Sequence, residues 1–352
     1  MTDEPPDAEA LVERRGAAGL IVLNRPKALN ALTLNMVRLV ATALDLWEND
    51  ARVTRVVIRG AGGRAFCAGG DIRHLYDLGV AGDHEAQLCF WREEYRLDER
   101  IRSYPKPVVA LIDGIVMGGG VGVSVNSARY RVASERFAFA MPEVGIGFFP
   151  DVGGTFVLPR LAHKAGVYFA LTGLRANAGD GLAFGLADVF VTSEGIDALA
   201  EALETEAPPD AALQRFASQA PASPLMAEAQ GIEACFSLPS REAILDGLLE
   251  AEANGFAFAA RARAAMLEKS PTSQAIALRQ MAVGPKLDFR EALRVEFRIV
   301  SRICRGHDFY EGVRAVIIDK DERPVWSVSP SEAELEAYFA PLGVAELTFP
   351  RR

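Results

Sequence analysis

Two carboxylates and a run of glycines carry the chemical signal in this sequence. Glu143 follows Pro142 at the end of the apolar stretch FAFAMPE, and Asp151 follows Pro150 eight residues later, with Gly145 and Gly147 between them. A carboxyl group at the end of an apolar run loses water on folding, which raises its pKa towards the range useful in acid-base work. The intervening glycines let the chain fold back and bring both carboxyls to one pocket, where paired carboxylates can divide general-acid and general-base roles. Asp151 taken alone reads equally well as a helix N-cap. Upstream, Gly118, Gly119 and Gly120 interrupt an apolar setting. Adjacent glycines disfavour both helix and strand. They fit either a tightly packed strand-to-helix turn or a place where backbone amides point at an anion, a role that a helix starting near Gly119 would reinforce.

Other chemistries find no seat. The sequence has no GxGxxG or GxxxxGK[ST] phosphate loop, no HExxH and no G-x-S-x-G elbow. Its four cysteines (Cys67, Cys89, Cys235, Cys304) are scattered without a CxxC, and its four histidines show no paired metal spacing. A disulfide framework and a metal site are therefore not expected, and a reducing compartment is. The net charge of −9 argues against nucleic acid as a partner. The start, MTDEPPDAEA, lacks the basic and apolar regions of a signal peptide and is expected to fray. No apolar run reaches the length of a membrane span. These features together predict a cytoplasmic protein.

The elements that must hold these residues follow from periodicity. Ala18–Leu23 and Val53–Arg59 read as strands around a turn, Asn24–Asn30, and a helix, Leu32–Trp47. Gly60–Asp71 reads as a loop, 84–102 as a long charged helix with Phe90, Trp91 and Tyr95 along one stripe, and Val108–Ile112 as a strand leading into the glycines. Alternation of this kind predicts an α/β core. From about Leu161 the pattern becomes helical: 162–188 around a Gly173 turn, then 194–206, 210–219, 240–268, 273–304 and about 330–341, with a short apolar piece at Val189–Val191. The expected division is a core over residues 1–210 and a helical region over 211–352.

Five blocks in order carry a resemblance: RPKALNALT (Arg25–Thr33), GRAFCAGGDIRHLYD (Gly63–Asp77), GIVMGGGVG from Gly114, AMPEVGIGFFPDVGGTFVLPRL from Ala140, and DFYEGVRAVIIDKDERP from Asp308. With WREEYRL and SPTS (Ser270–Ser273), they make the chain similar to the enoyl-CoA hydratase/isomerase (crotonase) superfamily, and within it to the thioester-hydrolase branch. The resemblance implies a spiral of repeated ββα units with a helical C-terminal region. It also implies an oxyanion hole from the Gly70 and Gly119 amides. Hydration in this family uses a glutamate shortly after the glycine triplet as well as one in the Pro-Glu position. Here the triplet is followed by Val121, Gly122, Val123 and Ser124, with no acid, while Glu143 is present and Asp151 is added. That departure favours hydrolysis, with Glu143 and Asp151 as acids and Glu94 lining the acyl end of the substrate. Glu94 would otherwise read as a solvated helix acid.

The implied substrate is an acyl-CoA thioester, so CoA enters as part of the substrate and no separate cofactor is expected. Lys27, Ala28, Ala68 and Asp71 match the CoA-contacting segments, and Arg25, Arg64, Arg73, His74 and Lys320 are further candidate cations for its phosphates. Cys67 beside the oxyanion loop reads as a packing residue, because no histidine is placed to activate it. The family implies a homo-oligomer, a trimer or a hexamer. A lyase or isomerase acting through Glu143 alone, and a non-catalytic acyl-CoA-binding protein, remain as alternative readings.

Overall fold

The computed structural model describes residues 8–350. Most of the acidic start expected to fray lies outside them. From Ala8 the chain is tied down: the Asn24 side chain donates to the Ala8 carbonyl at 2.9 Å, and the Thr33 hydroxyl donates to Glu9 at 2.7 Å. The chain divides into two compact units. The first joins the residues up to Gly70 with Glu93–Phe139 and Ala176–Pro224; the second joins Asp71–Arg92, Ala140–Arg175 and the residues from Leu225 onward.

The first unit is built on strands β1 (Ala10–Arg15), β2 (Ala18–Leu23), β3 (Arg55–Gly60), β4 (Ala65–Cys67), β5 (Val108–Ile112), β6 (Ile115–Met117), β7 (Tyr130–Ala133), β8 (Ala138–Ala140) and β9 (Val189–Phe190). One sheet has the order β1-β2-β3-β5-β7-β9 and a smaller one the order β4-β6-β8. The pairs β3/β4, β5/β6 and β7/β8 each send their first strand to the large sheet and their second to the small one. This is the repeated winding that the resemblance implied. All pairings in the large sheet are parallel except the β1–β2 hairpin. Every residue of β5, VVALI, is buried, as a parallel strand covered on both faces requires. One face packs Leu20, Val57, Val109, Leu111 and Val132 against Ile196, Leu199, Leu203 and Leu213. β1 has no counterpart in the sequence reading, because only its first residue is fully buried and its charged end, Glu13-Arg14-Arg15, lies exposed at the sheet edge, where charges discourage further pairing. β4 is too short for its period to show within Gly60–Asp71.

Helices dominate the second unit. The pattern over 240–268 resolves into Arg241–Ala253 and Ala257–Glu268, parted where Gly255 adopts φ +86°. That over 273–304 resolves into Pro271–Val283 and Phe289–Ile303, parted at Gly284-Pro285, where proline lacks the helical donor. Ser270 caps the first of these, accepting from the Ser273 amide at 3.0 Å, and donates to Asp308 at 2.5 Å. Asp308 in turn accepts from the Ser327 amide at 2.8 Å. The SPTS and DFYEGV blocks are thus bonded to each other. Among the described residues no helix is long and apolar enough to cross a membrane.

The helix His307–Val313 passes directly over the turn that follows Glu143. Gly147 lies in the left-handed region (φ +67°), and a β-carbon there would stand 1.9 Å from the Asp308 carbonyl oxygen. One at Gly312 would stand 2.3 Å from the Ile146 carbonyl carbon. Gly147→Ala combines backbone strain with a backbone clash and is expected to lower stability by about 3 kcal/mol or more. Thermal unfolding checks this; an unchanged Tm contradicts the close approach.

Candidate active site

Both acids found from sequence spacing lie in the second unit and are buried, Glu143 at 5% exposure and Asp151 at 4%. Glu143 opens a single 3-10 turn, Glu143–Ile146, which Gly147 closes. Phe148 then stacks on Trp91 (centroids 5.4 Å apart, planes 17°) and packs on Phe149 (4.6 Å) and Phe309 (5.7 Å). Residues from three of the blocks singled out in the sequence, WREEYRL, GFFPD and DFYEGV, therefore meet in one aromatic cluster that anchors the chain between the acids. Burial pushes the Glu143 carboxyl well above the ordinary carboxylate range, and repulsion from Asp151 adds to the effect. Glu143 Oε2 is buried without a hydrogen-bond partner among the described residues.

Asp151 begins a tight turn in which the Gly154 amide donates to the Asp151 carbonyl at 2.7 Å. Its central residues, Val152 and Gly153, have φ +50° and +89°. A β-branched residue in the left-handed region is an outlier that costs about 1–3 kcal/mol and persists only where its surroundings impose it. The helical turn Gly154–Val157 is capped by Gly153, so the N-cap reading of Asp151 does not hold.

A third carboxylate was missed by sequence reasoning. Glu296, fully buried on the Phe289–Ile303 helix, accepts from the Gly153 and Thr155 amides, each at 2.8 Å. Burial raises its pKa to about 8; the Gly153 amide opposes that shift and repulsion from Asp151 adds to it. The signal was present: Glu296 occupies a position in the apolar stripe Phe289, Leu293, Val300 and Ile303, where a charge has no place without a partner. From the preceding helix, Gln280 Nε2 donates to the Pro150 carbonyl at 2.8 Å and to the Thr155 hydroxyl at 2.7 Å.

The glycine loops lie together in the first unit. Gly118 (φ +46°) caps a single helical turn, Gly119–Gly122, so the helix does start at Gly119 but is too short for its dipole to add much to the amides themselves. Opposite it, Gly69 adopts φ +116°, and a β-carbon built there would lie 4.0 Å from the Gly119 nitrogen. Leu32 bridges to Gly70, with its amide donating to the Gly69 carbonyl at 2.8 Å, a pairing that leaves the Gly70 amide out. A β-carbon on Gly120 would meet the Cys67 carbonyl at 2.2 Å, and one on Gly119 would meet Glu94 Oε1 at 2.3 Å. Close packing and amide presentation, the two readings of the triplet, thus apply to neighbouring residues. Glu94 is 2% exposed with its carboxyl against Gly119, so it is not a solvated helix acid. Cys67 is buried and its thiol is pushed up to about 12 by burial, which suits packing and not nucleophilic attack.

The segments matched to CoA contact are also placed. Lys27 and Ala28 lie exposed on the Pro26–Ala28 turn. The Ala68 amide donates to the Leu29 carbonyl at 3.0 Å, which joins that turn to the second loop. Asn30, read only as part of a turn, is fully buried and staples the same loops through its amide, which donates to the Ala61 and Ala65 carbonyls at 2.9 Å each. In the second unit Asp71 caps the helix Ile72–Val80, accepting from the His74 amide at 3.2 Å. Arg25 is occupied, donating to the Ala31 carbonyl at 2.7 Å and pairing with Glu9 at 3.3 Å, whereas Arg64, Arg73, His74 and Lys320 are exposed.

Comparison with known proteins gives this arrangement its class. Residues 18–339 match the family described as Enoyl-CoA hydratase/isomerase, and the chain belongs to that family. It is 45% identical to a protein of Xenopus tropicalis named 3-hydroxyisobutyryl-CoA hydrolase, mitochondrial, over 97% of this chain and 91% of that one. Two solved structures are similar throughout. One is a carnitinyl-CoA dehydratase from Mycobacterium thermoresistibile (TM-score 0.91, 40% identity, 97% of this chain and 99% of that one). The other is an enoyl-CoA hydratase from Rhodobacter sphaeroides 2.4.1 (TM-score 0.90, 41% identity, 97% and 100%). The fold is thus the crotonase fold, while the names of the relatives divide between hydrolysis and hydration.

Gly119→Ala drives a methyl group into the Glu94 carboxyl and should displace the Gly119 amide. Turnover is expected to fall by about 100-fold, the scale of losing one oxyanion donor; steady-state kinetics with an acyl-CoA thioester would read it, and near-normal turnover would count against that role. Glu143→Gln removes a carboxyl whose folded pKa is raised. Such a group stabilises the fold fully below the ordinary carboxyl pKa, and that contribution is lost as pH rises through the folded value. The glutamine variant should therefore match wild type in Tm near pH 4.5 and exceed it progressively at higher pH. A variant that melts lower at pH 8 contradicts the assigned shift.

Proposed function

We propose that the chain hydrolyses 3-hydroxyisobutyryl-CoA to 3-hydroxyisobutyrate and free CoA, a step of valine catabolism. The observation that carries this reading is the composition of the acid set. Glu143 and Asp151 are buried as a coupled pair. The residues after the glycine triplet offer no acid: Val121, Gly122, Val123 and Ser124 are buried, and the Ser124 hydroxyl donates to the Gly120 carbonyl at 2.5 Å. Hydration of an enoyl thioester lacks its second glutamate, whereas hydrolysis has a use for Asp151. The naming of the Xenopus tropicalis relative supports the same choice.

In this reading the thioester oxygen accepts from the Gly70 and Gly119 amides, which stabilise the negative charge that develops on it as the carbonyl is attacked. Ionised Glu143 either attacks the carbonyl carbon, expelling the CoA thiolate and leaving a mixed anhydride that water cleaves, or takes a proton from the water that attacks. Asp151 positions that water or delivers a proton to the departing thiolate. Glu94 accepts from the hydroxyl of the acyl group. Lys27, Ala28, Ala68 and Asp71 line the path of CoA, and no cofactor beyond the substrate takes part. The chain assembles as a trimer or hexamer and works in the cytoplasm, where its four free cysteines stay reduced. The 3-hydroxypropionyl thioester differs by one methyl group and should be turned over less efficiently by roughly 10- to 200-fold at most.

Release of free thiol from (S)-3-hydroxyisobutyryl-CoA tests the proposal, with loss of enoyl absorbance from crotonyl-CoA followed in parallel. Thiol release without crotonyl hydration is expected. Glu143→Gln and Asp151→Asn, each folded, should lower thiol release by 100-fold or more, on the scale at which acid-base groups contribute. Hydration without thiol release would establish the lyase reading through Glu143 alone, and binding of the thioester without either reaction would establish a non-catalytic role.

A further inference from the structure

Glu296 belongs to no block singled out in the sequence, and no step of the proposed chemistry uses it. It lies 143 residues from Gly153, yet both its carboxyl oxygens accept amides of the Asp151 loop. Gln280 holds the other end of the same loop through the Pro150 carbonyl and ties to it again at the Thr155 hydroxyl. Asp151 and Val152 are thereby bracketed by three backbone groups, at 150, 153 and 155, each fixed by a buried side chain from the C-terminal helices. Released, Val152 would leave the left-handed region for the negative φ its branched side chain prefers, and the Asp151 carboxyl would swing with the turn. The helices themselves do not need these bonds. The Phe289–Ile303 helix has its own capping box at Asp288 and Glu291, and the Pro271–Val283 helix is capped by Ser270. A buried carboxylate near a second carboxylate is also a costly way to satisfy two amides that a neutral acceptor could serve.

Resting on the role proposed above for Asp151, we infer that Glu296 and Gln280 are positioning residues that hold the strained Pro150–Thr155 loop in the one conformation that presents the Asp151 carboxyl. The C-terminal helical segment then takes part in catalysis at one remove, with Glu296 setting the turn after Asp151 and Gln280 the residue before it.

The test is the kcat and KM of thiol release from 3-hydroxyisobutyryl-CoA for wild type, Glu296→Gln, Gln280→Met, Asp151→Asn and the two double variants carrying Asp151→Asn. Glutamine at 296 keeps the shape but turns an NH2 group towards one of the two amides. Misplacement of a catalytic group by about 1 Å can cost 100-fold, so Glu296→Gln is expected to lower kcat by about 10- to 100-fold with KM changed by less than about threefold. Gln280→Met should act in the same direction. Neither should lower the residual rate of Asp151→Asn, because the carboxyl they position is gone; a purely structural role would lower it again. Should Glu296→Gln not fold, the Gln280→Met pair carries the same comparison. Wild-type kcat in a folded positioning variant, or an equal loss in the Asp151→Asn background, overturns the inference. Full turnover by Asp151→Asn alone would instead overturn the role of Asp151 itself.

Discussion

Burying Glu143 beside Asp151 sets two electrostatic penalties against the fold, loss of hydration and repulsion between like charges, and the second unit is arranged around tolerating both. Both penalties favour the protonated form of Glu143. Here the Glu143 carboxyl is held at a raised pKa, and Asp151 stands on a turn that its own residues would not adopt unaided. Glu296, buried and itself raised to about 8, adds a third carboxyl to the same small volume. Clusters of perturbed carboxyls mark functional sites more often than structural ones, and the strain at Val152 points the same way.

The connectivity follows from that constraint. The acids sit on 140–175, and the helices after residue 224 share their unit. Three of the helical segment's features bear on the acid loops directly: the helix His307–Val313, whose carbonyl at Asp308 leaves room only for glycine at 147, the Ser270–Asp308–Ser327 chain of hydrogen bonds, and the Gln280 and Glu296 contacts. The first unit has a different task, to bring two glycine loops close together. Parallel strands ending at the loops do this, and Asn30 ties the turn before it to the Gly60–Asp71 loop. Glycine is required at 120, where a β-carbon would meet the Cys67 carbonyl, while at 119 it leaves the space that the Glu94 carboxyl occupies.

What the sequence disclosed was chiefly local. The glycine triplet, the Glu143–Asp151 spacing and the longer strands were legible because turn chemistry and period-2 patterns act over a few residues, whereas the winding of strand pairs came only from the family resemblance, its short second strands showing no period. The long helical patterns were legible as helices but not at their breaks, since periodicity continues across Gly255 and Gly284 while the backbone does not. Glu94 was singled out only through the resemblance, because its helix is charged on several faces and only a contact with Gly119 reveals which face is buried. Asn30 and Glu296 were hidden for a related reason: each acts through backbone groups far along the chain, and nothing in the local sequence names the partner. Yet Glu296 stood in an apolar stripe, a conflict between pattern and residue type that marks functional or positioning residues in a consistent fold.

Titration of Glu143 itself tests the coupled pair most directly, by NMR of protein labelled with 13C at the glutamate carboxyl carbons and assigned with Glu143→Gln. The expected midpoint lies well above the ordinary value of 4.5 and moves down in Asp151→Asn as the neighbouring charge is removed. A midpoint near 4.5, or one unmoved by Asp151→Asn, would contradict the coupled buried pair on which the rest depends.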